Sequence, residues 1–484
     1  MSLTDNLEPK AFFHFFEEIS SIPRGSGNSE KIAGYLVDFA IKRDMEYIRD
    51  EHDNVIIKKP AQGTGASKDA VIIQGHTDMV TVAAPGKEKD FQNEGIDLLI
   101  KGDHIYADGT SLGADDGIAV CYALAILDDT EITHPPIEAV FTSNEEIGLL
   151  GAGDLDTSLL TGKTFLNIDS EDDGIFFAGC AGGATCRITA DISPELMSGT
   201  IIELELTGLK GGHSGMEIDK HRANANKILG RSVFKLLGSH DDIRLISFNG
   251  GEKENAIAAF ARAELLVTNS DIISAISLEF DQIMDQLMSP YKLTDSEYEY
   301  SFAYEEGKCE ECPVIPKDMG RNITCFLEKL EDGVISMSAE LPDVVETSSN
   351  TGVIRIDVNN CEITVSVRSL INENRNEMAE AVKILAGDVF NVDITEIYSA
   401  WNYQPVSPVR EVLMEEYRKV TGKEPKVEVI HAGFECGVFA EKMPEVDFVS
   451  FGPQADDIHT FNERMSISSV KDYWQILVNT LERL

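Results

Sequence analysis

Ala70-Val-Ile-Ile-Gln-Gly-His-Thr-Asp78 is the stretch on which the reading of the fold turns. Its four leading apolar residues run without a polar break, as in a strand covered on both faces. The run then ends in glycine, histidine and aspartate, which suit chemistry better than packing. The pattern recurs downstream. Ile137-Glu-Ala-Val-Phe-Thr142 leads into Ser143-Asn-Glu-Glu146, and Thr164-Phe-Leu-Asn-Ile168 leads into Asp169. Val446-Asp-Phe-Val-Ser-Phe451 precedes a loop carrying His459. Apolar residues at helical spacing mark helices at 10–20, 29–43, 117–127, 408–421, 433–442 and 469–483. Strands alternating with helices predict a layered α/β sheet.

The text changes after Gly182-Gly183. From 186 to 397, strands such as Thr200–Thr207 and Glu362–Arg368 alternate apolar and polar residues, which suits a sheet with one face in water. Helices around 222–237 and 374–386 can cover the other face. This predicts an inserted α+β domain at 186–397, with lobes near 186–290 and 325–397. The acidic stretch 290–320 reads as an irregular connection. The α/β domain is then split into 1–185 and 398–484. A chain of 484 residues is long enough for two or three cores.

A hydrophobic fraction of 43% excludes large-scale disorder, and a net charge of −43 argues against nucleic acid and anionic membranes as partners. No apolar run is long enough to span a bilayer. The first residues lack the basic and apolar regions of a secretory signal. The eight cysteines are scattered and read as reduced thiols, so a cytoplasmic setting is expected. Cys309-Glu-Glu-Cys312 is the one local cysteine motif, and it lacks the second pair that a zinc or redox site needs.

The chemistry-bearing residues stand at strand ends: His76 and Asp78, Glu145 and Glu146, Asp169, then His459, with Asp115-Asp116 opening a helix. Singly, these are ordinary packing pairs, helix caps or solvated turns. Together they fall at the carboxyl ends of successive strands, where open α/β sheets bind ligands. Imidazole with carboxylate favours zinc, with cobalt or manganese as substitutes. Five ligands, His76, Asp115, Glu146, Asp169 and His459, are too many for one catalytic zinc with an open position. They suit two zinc ions with a bridge, for which Asp115 is placed between the His-x-Asp and Glu-Glu elements.

This order resembles the dinuclear zinc aminoacylase and carboxypeptidase superfamily, and within it the bacterial aminoacyl-histidine dipeptidases. The resemblance runs through Gln74–Val80, Gly109–Ile118, Thr142–Gly148, Gly208-Leu-Lys-Gly-Gly-His-Ser-Gly215, His431-Ala-Gly-Phe-Glu-Cys-Gly437 and Ile458–Ser466. It implies that His76, Asp115 and Asp169 hold one zinc and Asp115, Glu146 and His459 the other. It implies that Asp78 orients His76, that Glu145 is the general base, and that the Asp115–Asp116 peptide is cis. It implies that the inserted α+β domain is the family's lid, that His213 in it stabilises the oxyanion, and that Arg368 and Asn255 grip the substrate carboxylate. The implied activity is hydrolysis of dipeptides, Xaa-His dipeptides including β-alanyl-histidine among them, by a monomer or a homodimer. An N-acyl amino acid deacylase and a tripeptide aminopeptidase share the same metal pattern. A catalytically silent binding protein on this fold is disfavoured, because every ligand position and the base are filled.

Overall fold

The computed structural model of the protein describes residues 3–4, 6–63, 69–304 and 307–484. The chain divides into two compact units: Met1–Cys180 with Trp401–Ile430 and Phe434–Leu484, and Ala181–Ala400 with His431–Gly433. The inserted segment thus begins and ends within a few residues of 186 and 397. Three residues of the His431–Gly437 motif join the second unit, although they lie far along the chain from it.

The first unit is built on an eight-stranded sheet. Its central strands, in order, are Ile137–Thr142, Val71–His76, Thr164–Asn167 and Asp447–Ser450. Neighbours among these four run parallel, so their carboxyl ends share one edge of the sheet. Every residue of Val71–His76 and Ile137–Thr142 is buried, as the near-continuous apolar runs predict. One face is covered by helices including Lys10–Ser20, Ala114–Asp128, Pro408–Thr421 and Ile467–Arg483, whose side chains share a core with Ile73, Ala139 and Leu166. On the other face Phe165 packs against Phe439 of helix Glu435–Lys442, with ring centroids 5.0 Å apart.

A small sheet of Leu98–Lys101, His104–Ala107, Ala455–Asp456 and Arg464–Ser466 was not legible in advance. Its strands are two to four residues long, too short to show a period. It matters because Ala455 pairs with Met465 and Asp456 with Arg464. His459 therefore stands in the loop of a hairpin rather than in a free connection.

The second unit carries a ten-stranded antiparallel sheet with helices Ala225–Ser239, Ile273–Met288, Lys317–Lys329 and Asn372–Ala386. The expected two lobes are joined within it. Strand Ile243–Gly250 pairs with Val345–Ile356, so one sheet runs through both halves, and one apolar core includes Leu245, Phe280, Ile323 and Val365. The segment 290–320, expected to be irregular, instead supplies strands Glu299–Tyr304 and Cys309–Val314, both paired with Glu195–Thr207. Residues 305 and 306 lie outside the described part. Both strands are short, and the acidic residues in and around them masked them. Cys309 and Cys312 are free thiols, and no group of candidate metal ligands among the described residues includes them.

Candidate metal centre

Val71–His76 ends on His76, whose side chain is 1% exposed. Gly75 is required beside it: a Cβ there would fall 2.2 Å from the Ala119 Cβ and 2.4 Å from Asp116 Oδ2. The strand can approach helix Ala114–Asp128 this closely only without a side chain. Asp115 opens that helix with non-helical backbone angles, and the Asp115–Asp116 peptide bond is cis.

Asp115 stands between two histidines. Its Oδ1 lies 2.8 Å from His76 Nε2 and its Oδ2 lies 3.0 Å from His459 Nε2. His459 Nε2 is also 2.9 Å from Glu146 Oε1. His76 Nε2 is 3.6 Å from Asp169 Oδ1 and 4.0 Å from Glu145 Oε2. The first unit therefore gathers His76, Asp115, Glu145, Glu146, Asp169 and His459 into one cluster, with Asp78 beneath it. Asp116 also falls within reach of His76 and Asp169. Its oxygens, however, accept the backbone N–H groups of His76 at 3.2 Å and Ala119 at 3.1 Å. Asp115, by contrast, turns one oxygen toward each histidine. Glu171 groups with Asp115 and Asp169 and is an additional carboxylate that the sequence did not single out.

The donor set fits divalent cations. Asp115, Glu145, Glu146 and Asp169 have side chains only 7–16% exposed. Among the described residues no lysine or arginine forms an ion pair with any of them. Burying several carboxylates without positive charge is costly. The imidazoles respond accordingly: hydrogen bonds to Asp115 and Glu146 push His459 up to about 11. Burial, opposed by His76 and reinforced by Asp115 and Glu146, lifts Asp169 to about 6. Burial, opposed by His76 and reinforced by Asp169, Glu435 and Glu146, pushes the Glu145 carboxyl well above its usual range. Two imidazole Nε2 atoms among buried carboxylates make a donor set that suits first-row divalent cations.

The supports are as specific as the ligands. His76 Nδ1 is 3.0 Å from the Asp78 carbonyl and 3.5 Å from Asp78 Oδ1. The Asp78 carboxylate also accepts Ser26 Oγ at 2.8 Å and the N–H groups of Glu145 at 3.0 Å and Glu146 at 3.4 Å. Glu463, 2% exposed, accepts four consecutive N–H groups: Leu112 at 2.7 Å, Gly113 at 3.0 Å, Ala114 at 2.8 Å and Asp115 at 3.4 Å. Arg24 grips the same turn from the other side, donating to the carbonyls of Gly113, Thr77 and Asp78. A Cβ on Gly113, whose φ is +71°, would meet Arg24 Nη2 at 2.6 Å. Sequence reasoning passed over Arg24 and Glu463. The signal for Glu463 was its place four residues after His459; Arg24 gave none.

The second unit assembles a different group. His213 lies on the short strand Gly212–His213, paired with Ala256–Ile257. Its Nδ1 accepts the N–H groups of Gly215 at 3.1 Å and Met216 at 3.0 Å. The neutral ring therefore carries its proton on Nε2. Burial and the Arg368 charge lower its pKa to about 4, which keeps it neutral near pH 7. Arg368 is 7% exposed, donates to the Tyr398 hydroxyl and leaves Nε without a partner. Among the described residues no carboxylate lies within ion-pair distance of it. Asn255 is held by its backbone: its carbonyl accepts the Ser214 N–H at 2.9 Å, and Asn350 Nδ2 donates to the flanking carbonyls of Glu254 at 3.0 Å and Ala256 at 2.9 Å.

Comparison with known proteins gives this arrangement a lineage. Residues 72–483 match the model of peptidase family M20/M25/M40. The chain is 34% identical to the cytosol non-specific dipeptidase of Escherichia coli K12, with 100% of this chain and 99% of that protein covered. It is also 34% identical to the aminoacylhistidine dipeptidase of Vibrio alginolyticus, whose crystal structure superimposes with a TM-score of 0.90 over 100% of this chain and 98% of that one. A metallo-carboxypeptidase of family M20 from Sulfolobus solfataricus, 16% identical over 98% of each chain with a TM-score of 0.55, shares the fold. The chain belongs to peptidase family M20/M25/M40.

Proposed function

We propose that the protein is a dinuclear zinc dipeptidase, with Xaa-His dipeptides such as β-alanyl-histidine among its substrates. The observation that carries this reading is the Asp115 carboxylate, with one oxygen 2.8 Å from His76 Nε2 and the other 3.0 Å from His459 Nε2. His76, Asp115 and Asp169 would hold one ion, and Asp115, Glu146 and His459 the other. Such a pair supplies Lewis acidity, bringing the pKa of water down to about 7 and polarising a carbonyl.

The chain's own groups supply the rest. Glu145, 4.0 Å from His76 at Oε2 and 16% exposed, takes the proton of the attacking water and returns it to the departing amine. His213 presents a neutral Nε2–H, a donor suited to the oxyanion that forms at the scissile carbonyl. Arg368, a buried guanidinium with no carboxylate partner, suits the free carboxylate of the substrate, with Asn255 as a further donor. The dipeptidase names of the Escherichia coli and Vibrio relatives support peptides of two residues, and the Vibrio name supports histidine at the carboxyl side. The Escherichia coli name also supports a cytosolic setting. Among the described residues no helix is long and apolar enough to cross a membrane.

A substrate panel tests the reading. Zinc-loaded protein is expected to cleave alanyl-histidine and β-alanyl-histidine and to leave acetyl-amino acids and tripeptides largely intact. Faster cleavage of acetyl-amino acids or tripeptides would overturn the dipeptidase assignment.

A further inference from the structure

Gln74, Thr142 and Asn167 sit near the carboxyl ends of three adjacent parallel strands. Each strand leads directly to metal-centre residues: Gln74 precedes His76 by two positions, Asn167 precedes Asp169 by two, and Thr142 precedes the Glu145-Glu146 turn. All three side chains are buried, and they are knotted together. Asn167 Nδ2 donates to Gln74 Oε1 at 2.8 Å. Gln74 Nε2 donates to Glu435 Oε2, and Thr142 Oγ1 donates to the same oxygen at 2.8 Å. Glu435 comes from the first turn of helix Glu435–Lys442 and is 0% exposed.

Nothing about packing demands a carboxylate at this point. Its second oxygen, Oε1, has no hydrogen-bond partner. No lysine or arginine among the described residues bonds to it. An apolar side chain of similar volume would cost less to bury. What the carboxylate provides is one acceptor that two neighbouring strands share and that reaches a third through Gln74. Partners of this kind, one step behind the ligands, orient metal sites.

We propose that Glu435 is a positioning residue: through Gln74, Thr142 and Asn167 it fixes the spacing of His76, the Glu145-Glu146 turn and Asp169, and so sets the affinity of the metal centre without touching substrate. The inference rests on the metal-centre reading above. It assigns the role to hydrogen-bond acceptance, so glutamine, which keeps a carbonyl oxygen, should substitute where leucine does not.

The test compares Glu435→Leu, Glu435→Gln and Gln74→Met with the wild type in three readouts: zinc affinity by competition with a chelator, the visible spectrum of the cobalt-substituted protein, and kcat against KM. Glu435→Leu and Gln74→Met are expected to lower zinc affinity and kcat by about 10- to 100-fold. They should alter the cobalt spectrum and leave KM within about twofold, since the knot does not touch substrate. Glu435→Gln is expected to recover affinity to within about threefold of the wild type. A folded Glu435→Leu protein with wild-type zinc affinity and spectrum would overturn the proposal, even if its melting temperature fell. If leucine does not fold, Gln74→Met with unaltered zinc affinity overturns it. A glutamine variant as impaired as leucine would also overturn it, by assigning the role to charge. Wild-type protein that binds no zinc overturns the metal reading itself, a result separate from any variant.

Discussion

The carboxylate of Asp78 accepts the backbone N–H of Glu145 at 3.0 Å, while the Asp78 carbonyl lies 3.0 Å from His76 Nδ1. One residue thus contacts the proposed ligand His76 and holds the turn that carries the proposed base Glu145. The carbonyl contact is independent of protonation, but the hold on the turn depends on Asp78 being ionised. Burial works against that, but the hydrogen bond and charge of His76, with the bonds from Ser26 and Glu145, hold its pKa below the usual carboxylate value. Asp78→Ala is expected to reduce zinc affinity and kcat by about 10- to 100-fold, because the turn loses its acceptor and the ring keeps only the backbone carbonyl. A chelator titration with parallel kinetics checks this. Undiminished affinity would show that the Asp78 carbonyl alone suffices.

Glu145 is separable from the ligands by substitution. Glu145→Gln keeps the shape of the side chain but cannot take a proton. The expected outcome is two zinc ions still bound per chain and kcat lower by roughly 10²–10⁴-fold. Metal analysis with steady-state kinetics on one preparation decides it. Retention of near-normal kcat would remove Glu145 from the role of base.

Arg368 should act on binding rather than on chemistry. Losing charged hydrogen bonds to a carboxylate costs about 1.5–3 kcal/mol, or about 10- to 100-fold. Arg368→Ala is expected to raise KM by that factor with a smaller effect on kcat. Arg368→Lys should recover only part, since an ammonium cannot pair with both oxygens in the same plane. An unchanged KM for either variant would exclude Arg368 from the carboxylate site.

The second unit should be sensitive to acid. His431 is 7% exposed, with Nε2 2.8 Å from Ser348 Oγ. Burial and the nearby Arg368 charge lower its pKa to about 3, and the same causes bring His213 to about 4. Unfolded histidine titrates near ~6.5. Between these values the unfolded chain binds protons that the folded chain does not, so stability falls as pH falls. It is fully present above ~6.5 and is lost progressively toward about 3 to 4. The stability contributed by these two histidines should therefore fall between pH 7 and pH 4.5, while the raised carboxyls of Asp169 and Glu145 act the other way in metal-free protein, so the effect is read as the difference between wild type and a histidine variant. His431→Gln, neutral throughout, should lose part of that pH dependence. A constant difference between wild type and variant across the range would contradict the assignment.

The parts of the site that were legible in the sequence share a physical origin. His76, Glu145, Glu146 and Asp169 each follow a buried parallel strand, and such strands announce themselves as unbroken apolar runs. Their ends fall along one edge of one sheet, so locating the strands locates the cluster. The resemblance supplied the division of labour among these residues, which periodicity alone does not contain. What stayed hidden depends on long-range contacts. Glu463 reads as a solvated loop residue, yet it accepts four backbone N–H groups more than 340 positions away in the chain. Arg24 looks like a surface arginine after a proline and is buried, with 2% exposure. The strands at 299–304 and 309–314 are short, and the acidic residues in and around them imitate an irregular linker.

The most direct test is a titration of zinc into chelator-stripped protein with alanyl-histidine hydrolysis followed at each addition. The proposed two-ion centre predicts negligible rate in the stripped protein and a rise that levels off at two zinc per chain. A rate that is unaffected by stripping, or that remains absent with two zinc bound, would contradict the account.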